Sequence, residues 1–183
     1  MSSEFFRRPS LLPKLVMMVG AAALLSACQV RPLYSEAAGT GAKLADIAFT
    51  PADDRVEQVV RNRLIFLTSG GEGEPRLPQY QVALNVVAAY SDILDDEDAV
   101  GLQPGRVVVT GTYTLTRIKD ASVLKTGSRR VTALLDVSSQ EFAELRAVRD
   151  AEERAGRELA EFIRADLAIA LAEEPQPQVT WQK

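Results

Sequence analysis

The chain has 183 residues, with 21 basic and 25 acidic side chains, one cysteine and no histidine. The missing histidine excludes Ser-His-Asp and Cys-His catalysis, HExxH zinc sites and imidazole proton shuttling. A net charge of −4 with both signs interspersed argues against a nucleic-acid binder.

Residues 1–14 carry Arg7, Arg8 and Lys14 against Glu4, and Leu15 to Leu25 is uncharged and almost wholly apolar, ending at Ser26-Ala27. This is the charged region, apolar region and small-residue cleavage site of a secretory signal over residues 1–27. A membrane-spanning helix needs roughly 20 apolar residues, and the eleven present here are too few. Leu25-Ser26-Ala27-Cys28 resembles a bacterial lipobox. That resemblance implies a Cys28 sulfur alkylated with diacylglycerol, cleavage that makes Cys28 the first residue, and an acylated amine. A thiolate is the competent nucleophile for such alkylation, and the modification removes the oxidation hazard of a lone thiol in an exported chain. Three acyl chains, at ~0.8 kcal/mol per buried methylene, make a practically permanent anchor. Inner-membrane lipoproteins commonly carry Asp after the cysteine; Gln29 points instead to the outer membrane, periplasmic face. The mature chain would have 156 residues, 18 basic and 24 acidic, a net charge of −6. That length suits one domain with a real core.

Residues 28–43 form the lipidated N-terminus and a small-residue linker, and 44–172 a single domain. Leu44 to Phe49, ended by Pro51, suits a first strand. Asp53 or Asp54 can cap a helix whose apolar stripe is Val56, Val59, Val60, Leu64 and Leu67, stopped by Ser69-Gly70-Gly71. Tyr80, Val82, Leu84, Val86 and Ala88 then alternate with a second set, as on a half-buried strand. The acidic segment 91–105 suits a long loop. In the next strand Val107, Val109, Tyr113 and Leu115 share one face, and Thr110, Thr112, Thr114 and Thr116 a water-facing one. Lys119 to Ser122 reverses the chain into a third long strand, Val123–Val137. A helix follows to about Leu171, with Phe142, Leu145, Val148, Ala155, Leu159, Phe162, Ile163 and Leu167 recurring every three or four residues and Gly156 a weak point. Residues 173–183 suit a flexible tail. The expected fold is α+β: a two-layer sandwich of one mainly antiparallel or mixed four-stranded sheet, with two helices on one face, in the order β-α-β-β-β-α.

Ser122-x-x-Lys125 followed by Thr126-Gly127 mimics two signatures of penicillin-binding enzymes, but one lysine would have to serve both on what reads as a strand. Asp92, Asp95, Asp96, Glu97 and Asp98 fail the EF-hand spacing, since Val100 and Val107 fall at ligand positions; a solvated acidic loop is the plainer reading. No metal or cofactor is expected. Arg106, Lys125, Arg129 and Arg130 concentrate on the strands, where guanidinium groups can grip phosphate bidentately. The plainer alternative is edge charge that deters aggregation. Arg129 and Arg130 fall on opposite faces by the strand period. On the phosphate reading, reversing Lys125 and Arg129 should weaken lipopolysaccharide binding while leaving the fold intact.

Cys28-Gln29-Val30-Arg31-Pro32-Leu33-Tyr34 resembles the C-G-F-x-P-L-Y start of mature lipopolysaccharide-assembly lipoproteins, the LptE family, particularly its alphaproteobacterial branch. Gln29 and Val30 depart from the Gly and Phe common there. Asp54-Arg55-Val56 through Arg61-Asn62-Arg63-Leu64 is similar to the first helix of that branch, and the element order agrees. The resemblance implies a non-enzymatic outer-membrane protein. Such proteins plug the lumen of the lipopolysaccharide translocon barrel, LptD, help it assemble, and bind lipopolysaccharide during export. Two other readings stand beside it: an auxiliary lipoprotein of another envelope lipid-transport system, and a periplasmic hydrolase.

Overall fold

A computed structural model describes residues 39–93, 102–138 and 140–174. The elements are α1 (Thr40–Ala45), β1 (Ile47–Phe49), α2 (Arg55–Ser69), β2 (Tyr80–Asp92), β3 (Leu102–Arg117), β4 (Ser122–Ser138) and α3 (Glu141–Glu173). One sheet has the strand order β1-β2-β3-β4, with β1 parallel to β2 and the other pairs antiparallel. Helices α2 and α3 pack on each other and on one face of this sheet. The fold is the expected α+β two-layer arrangement, with a third, short helix added. The leader, Cys28 and the acidic stretch 94–101 lie outside the described residues, as do 175–183 of the expected tail. Among the described residues no helix is long and apolar enough to cross a membrane.

The core follows the two-residue period of the strands. Val82, Leu84, Val86, Val107, Val109 and Leu115 are buried toward the helices, where Val60 and Leu64 of α2 and Leu159, Ile163 and Leu167 of α3 meet them. Fully burying such a side chain contributes about 1.5–3 kcal/mol. Helix α2 starts where Asp54 accepts a hydrogen bond from the Glu57 amide at 2.8 Å. It ends at Gly70, whose φ of 65° is a conformation that a Cβ disfavours. Gly156 is a contact point rather than a weak one. A Cβ there would lie 3.3 Å from Val60 Cγ2 and 3.4 Å from Val59 Cγ1, so its missing side chain lets α2 and α3 approach closely.

Three sequence expectations are corrected. Leu44 and Ala45 end helix α1, and the strand starts at Ile47. A six-residue apolar run is too short for its period to separate helix from strand. The segment 91–105 is loop only in part: residues 91–92 continue β2, and 102–105 open β3, registered as Asp92↔Gly105. Pro104 and Gly105 read as breakers, yet Gly105 leaves room for the Tyr90 ring, which a Cβ would meet at 2.8 Å. Finally, α3 outruns the sheet it covers. Its buried face begins at Ala151, so Phe142 and Leu145 are 87% and 47% exposed, and Phe162 also faces water.

Both sheet edges are partly closed by side chains. Beyond the three residues of β1, the β2 amides of Leu84 and Val86 donate to Thr50 Oγ1 at 3.1 Å and to the buried Glu57 carboxylate at 3.0 Å. Glu74 accepts from the Phe49 amide at 2.9 Å and is held by Arg61 at 2.6 Å. On β4, Arg154 donates to the Leu134 carbonyl at 3.3 Å. Capping of this kind limits pairing with stray strands.

Candidate functional site

The four basic residues read from the sequence do not form one patch. The registers Thr110↔Arg130 and Arg106↔Leu134 put Arg106 and Arg130 on the helix-free face of the sheet, on adjacent strands. Four residues separate their rows, about 13 Å along a strand. Around them lie Thr112, Asn85, Ser128 and Thr132, all exposed and short. Arg106 Nε donates to Ser91 Oγ at 3.0 Å and Arg130 Nε to Thr110 Oγ1 at 3.3 Å. This face is a flat, hydroxyl-rich surface carrying two guanidinium groups, each held by one hydroxyl and exposed to solvent.

Lys125 and Arg129 belong to the opposite face, since they pair with Leu115 and Gly111 of the core-facing set. Arg129 is committed there. It grips the Asp166 carboxylate with two donors, Nε at 2.7 Å. Tyr113 Oη donates to the same carboxylate at 2.6 Å. Gly127, opposite Tyr113, makes this possible: a Cβ there would stand 2.3 Å from the Tyr113 hydroxyl. The Arg129 guanidinium holds the Asp166 carboxyl below the usual carboxylate range against the opposing effect of burial. Burial, then the bond to Asp166, raises the Tyr113 phenol. Reversing Arg129 would therefore not leave the fold intact, contrary to the sequence reading.

Eight residues further along α3, the same combination recurs. Tyr80 Oη donates to Glu174 Oε2 at 2.7 Å and Arg117 Nε to Oε1 at 2.6 Å. Burial and the bond to Glu174 push the Tyr80 phenol up to about 12. Lys43 Nζ donates to the carbonyls of Leu171 and Glu174 at 2.9 and 2.8 Å, so the end of α3 is satisfied from α1. Glu173 and Glu174, expected in the tail, are the last turn and cap of the helix. This cluster walls a groove of about 790 Å³ between the start of β2, the β3–β4 turn and the end of α3. Arg117, noted in the sequence only as near a hairpin, joins Glu174 to Asp120 and Ser122 across it.

Ser122 Oγ donates to Asp120 Oδ1 at 2.7 Å, and Lys125 follows on an exposed strand edge. The penicillin-binding signature thus has no cleft around it. Among the described residues no group of three or more acidic or cysteine side chains could hold a metal ion. The sequence reading missed Asp166 and Glu174. The only signal available was that a core-facing tyrosine needs a partner for its hydroxyl, which says nothing of where that partner lies.

No family model matches the chain, and no curated protein matches it. Among solved structures it is similar to a protein of Caulobacter crescentus CB15 assigned as a lipoprotein, at 21% identity and a TM-score of 0.60, covering 75% of this chain and 98% of that one. A minor lipoprotein from Acinetobacter baumannii aligns at 15% identity and a TM-score of 0.46, over 72% of this chain and 94% of that chain. The rare lipoprotein B of Shewanella oneidensis aligns at 10% and 0.43, over 67% and 92%. The likeness to the Caulobacter protein shows that this chain and that lipoprotein share a fold.

Proposed function

We propose that the chain is an outer-membrane lipoprotein of the lipopolysaccharide-assembly class, anchored through Cys28, which seats in a translocon barrel and contacts lipopolysaccharide in transit. The observation that carries this reading is Leu25-Ser26-Ala27-Cys28 with Pro32-Leu33-Tyr34 close behind, on a chain that shares its fold with a solved lipoprotein. The geometry is compatible with the role. A strand of 16 residues is about 50 Å long, enough to reach deep into a barrel lumen from the pole where the chain enters the domain. The helix-free face offers hydroxyls and two guanidinium groups, suited to water-mediated contact with a polar wall and to phosphate. Arg106 and Arg130 take over the phosphate role from the four residues first considered.

The test is purification of the tagged chain from envelopes in detergent. A large outer-membrane barrel should accompany it, and Cys28→Ala should release the chain from the membrane. Recovery of the chain alone, with a normal barrel assembled in its absence, would refute the reading. Disturbed phospholipid asymmetry with intact surface lipopolysaccharide would favour another lipid-transport system.

A further inference from the structure

The groove beside Glu174 has charged walls that are already engaged with one another and an apolar floor that is not. Arg117, Tyr80 and Lys43 all bind Glu174. The remaining surface includes Ala42, Pro78 and Ile118. Ile118 is 46% exposed, and Leu77, next to Pro78, is 89% exposed. A concave site with apolar lining and a polar rim favours an apolar occupant with few charges.

We propose that residues 175–183 of this chain fold back into the groove, with Val179 and Trp181 against Pro78 and Ile118. Glu174, a wall of the groove, immediately precedes this segment, and its φ of −73° and ψ of 127° turn the backbone away from the helix axis. Pro175 disfavours helical backbone at Glu174, so the turn is built in. Lys43 holds the Glu174 carbonyl at 2.8 Å, which fixes where the segment begins. Trp181 lies seven residues on, within reach of up to about 25 Å of extended chain. The segment PQPQVTWQK carries one charged side chain, Lys183, and the only tryptophan of the protein. An indole offers large apolar area at the cost of few rotamers. The chain before Gly39 is the poorer occupant. The groove uses Ala42, Lys43 and Asp46, the far half and cap of α1, whereas that segment leaves from the first turn.

Because Trp181 is the sole tryptophan, indole emission and acrylamide quenching of the full chain in detergent report on it alone. The synthetic peptide 173–183 is the reference. Emission to the blue of the peptide, with a severalfold smaller quenching constant, is expected. Ile118→Glu, at an exposed position, should move both values to those of the peptide. Values equal to the peptide in the unaltered chain overturn the proposal. So does protection that survives Ile118→Glu, since the indole then sits in the micelle or another site, and so does protection that is lost on dilution, which assigns it to a second copy. Should Ile118→Glu misfold, Ile118→Cys with Val179→Cys decides: an intramolecular disulfide on oxidation supports the proposal, and its absence overturns it.

Discussion

Tyr113 donates its hydroxyl proton to the Asp166 carboxylate across the sheet–helix interface, 53 residues away in the chain. A phenol and a carboxylate would each be costly to bury alone. Together with Arg129 they join β3, β4 and α3 at one point. Tyr80, Arg117 and Glu174 repeat the device at the end of the helix. Two polar clamps thus fix the position of a 33-residue helix whose apolar contacts alone are less directional.

Tyr113→Phe removes a hydrogen bond to a charged acceptor and should destabilise the domain by about 1.5–3 kcal/mol. Gly127→Ala should act through the same clamp, by displacing the hydroxyl, at about 1–3 kcal/mol. Urea denaturation checks both. Additive losses in the double variant would argue against a shared mechanism.

Asp166 is more acidic in the folded chain than in the unfolded one. The unfolded state therefore binds more protons below the ordinary aspartate range near 3.9. The stabilisation is complete above that value and is lost as pH falls through the lowered folded value. Asp166→Asn should flatten the acid limb of a stability–pH curve, and an unchanged limb would contradict the assignment.

Tyr80 behaves with the opposite sign. Its folded phenol is pushed up to about 12, against about 10 unfolded. Its contribution is present below about pH 10 and disappears as pH rises toward 12. Tyrosinate absorbance should show one late-titrating phenol missing in Tyr80→Phe.

The helix should be energetically uneven. Leu167 is fully buried, and Leu167→Ala should cost about 2–5 kcal/mol. Phe142→Ala, at a position 87% exposed, should stay within about 0.5 kcal/mol of the parent. Thermal melts of the two variants test the boundary of the core at Ala151.

For the proposed lipopolysaccharide contact, Arg106→Glu with Arg130→Glu should weaken binding of the purified glycolipid while leaving the denaturation midpoint unchanged. Arg129→Glu should instead lower the midpoint, because it places a second negative charge against Asp166. Binding unaffected by the first pair would remove the helix-free face from the site.

The alternation from Tyr80 to Val137 was enough to assign strand faces, because a period of two places Val107, Val109 and Leu115 opposite Thr110, Thr112 and Thr114 whatever they pack against. The cap at Asp54 and the stop at Gly70 were equally local and equally legible. The candidate site was legible only in part: Arg129 and Arg130 could be separated by face, but Asp166 as the partner of Arg129 could not be foreseen. Periodicity also marked Phe142 and Leu145 as core, since a repeating stripe carries no record of where the covering sheet ends. Local spacing, in short, determined backbone state and facing. The tertiary structure alone decided partners, since the clamps on Asp166 and Glu174, the fit of Tyr113 over Gly127 and the groove beside Ile118 each join residues that only chain packing brings within hydrogen-bond or van der Waals reach.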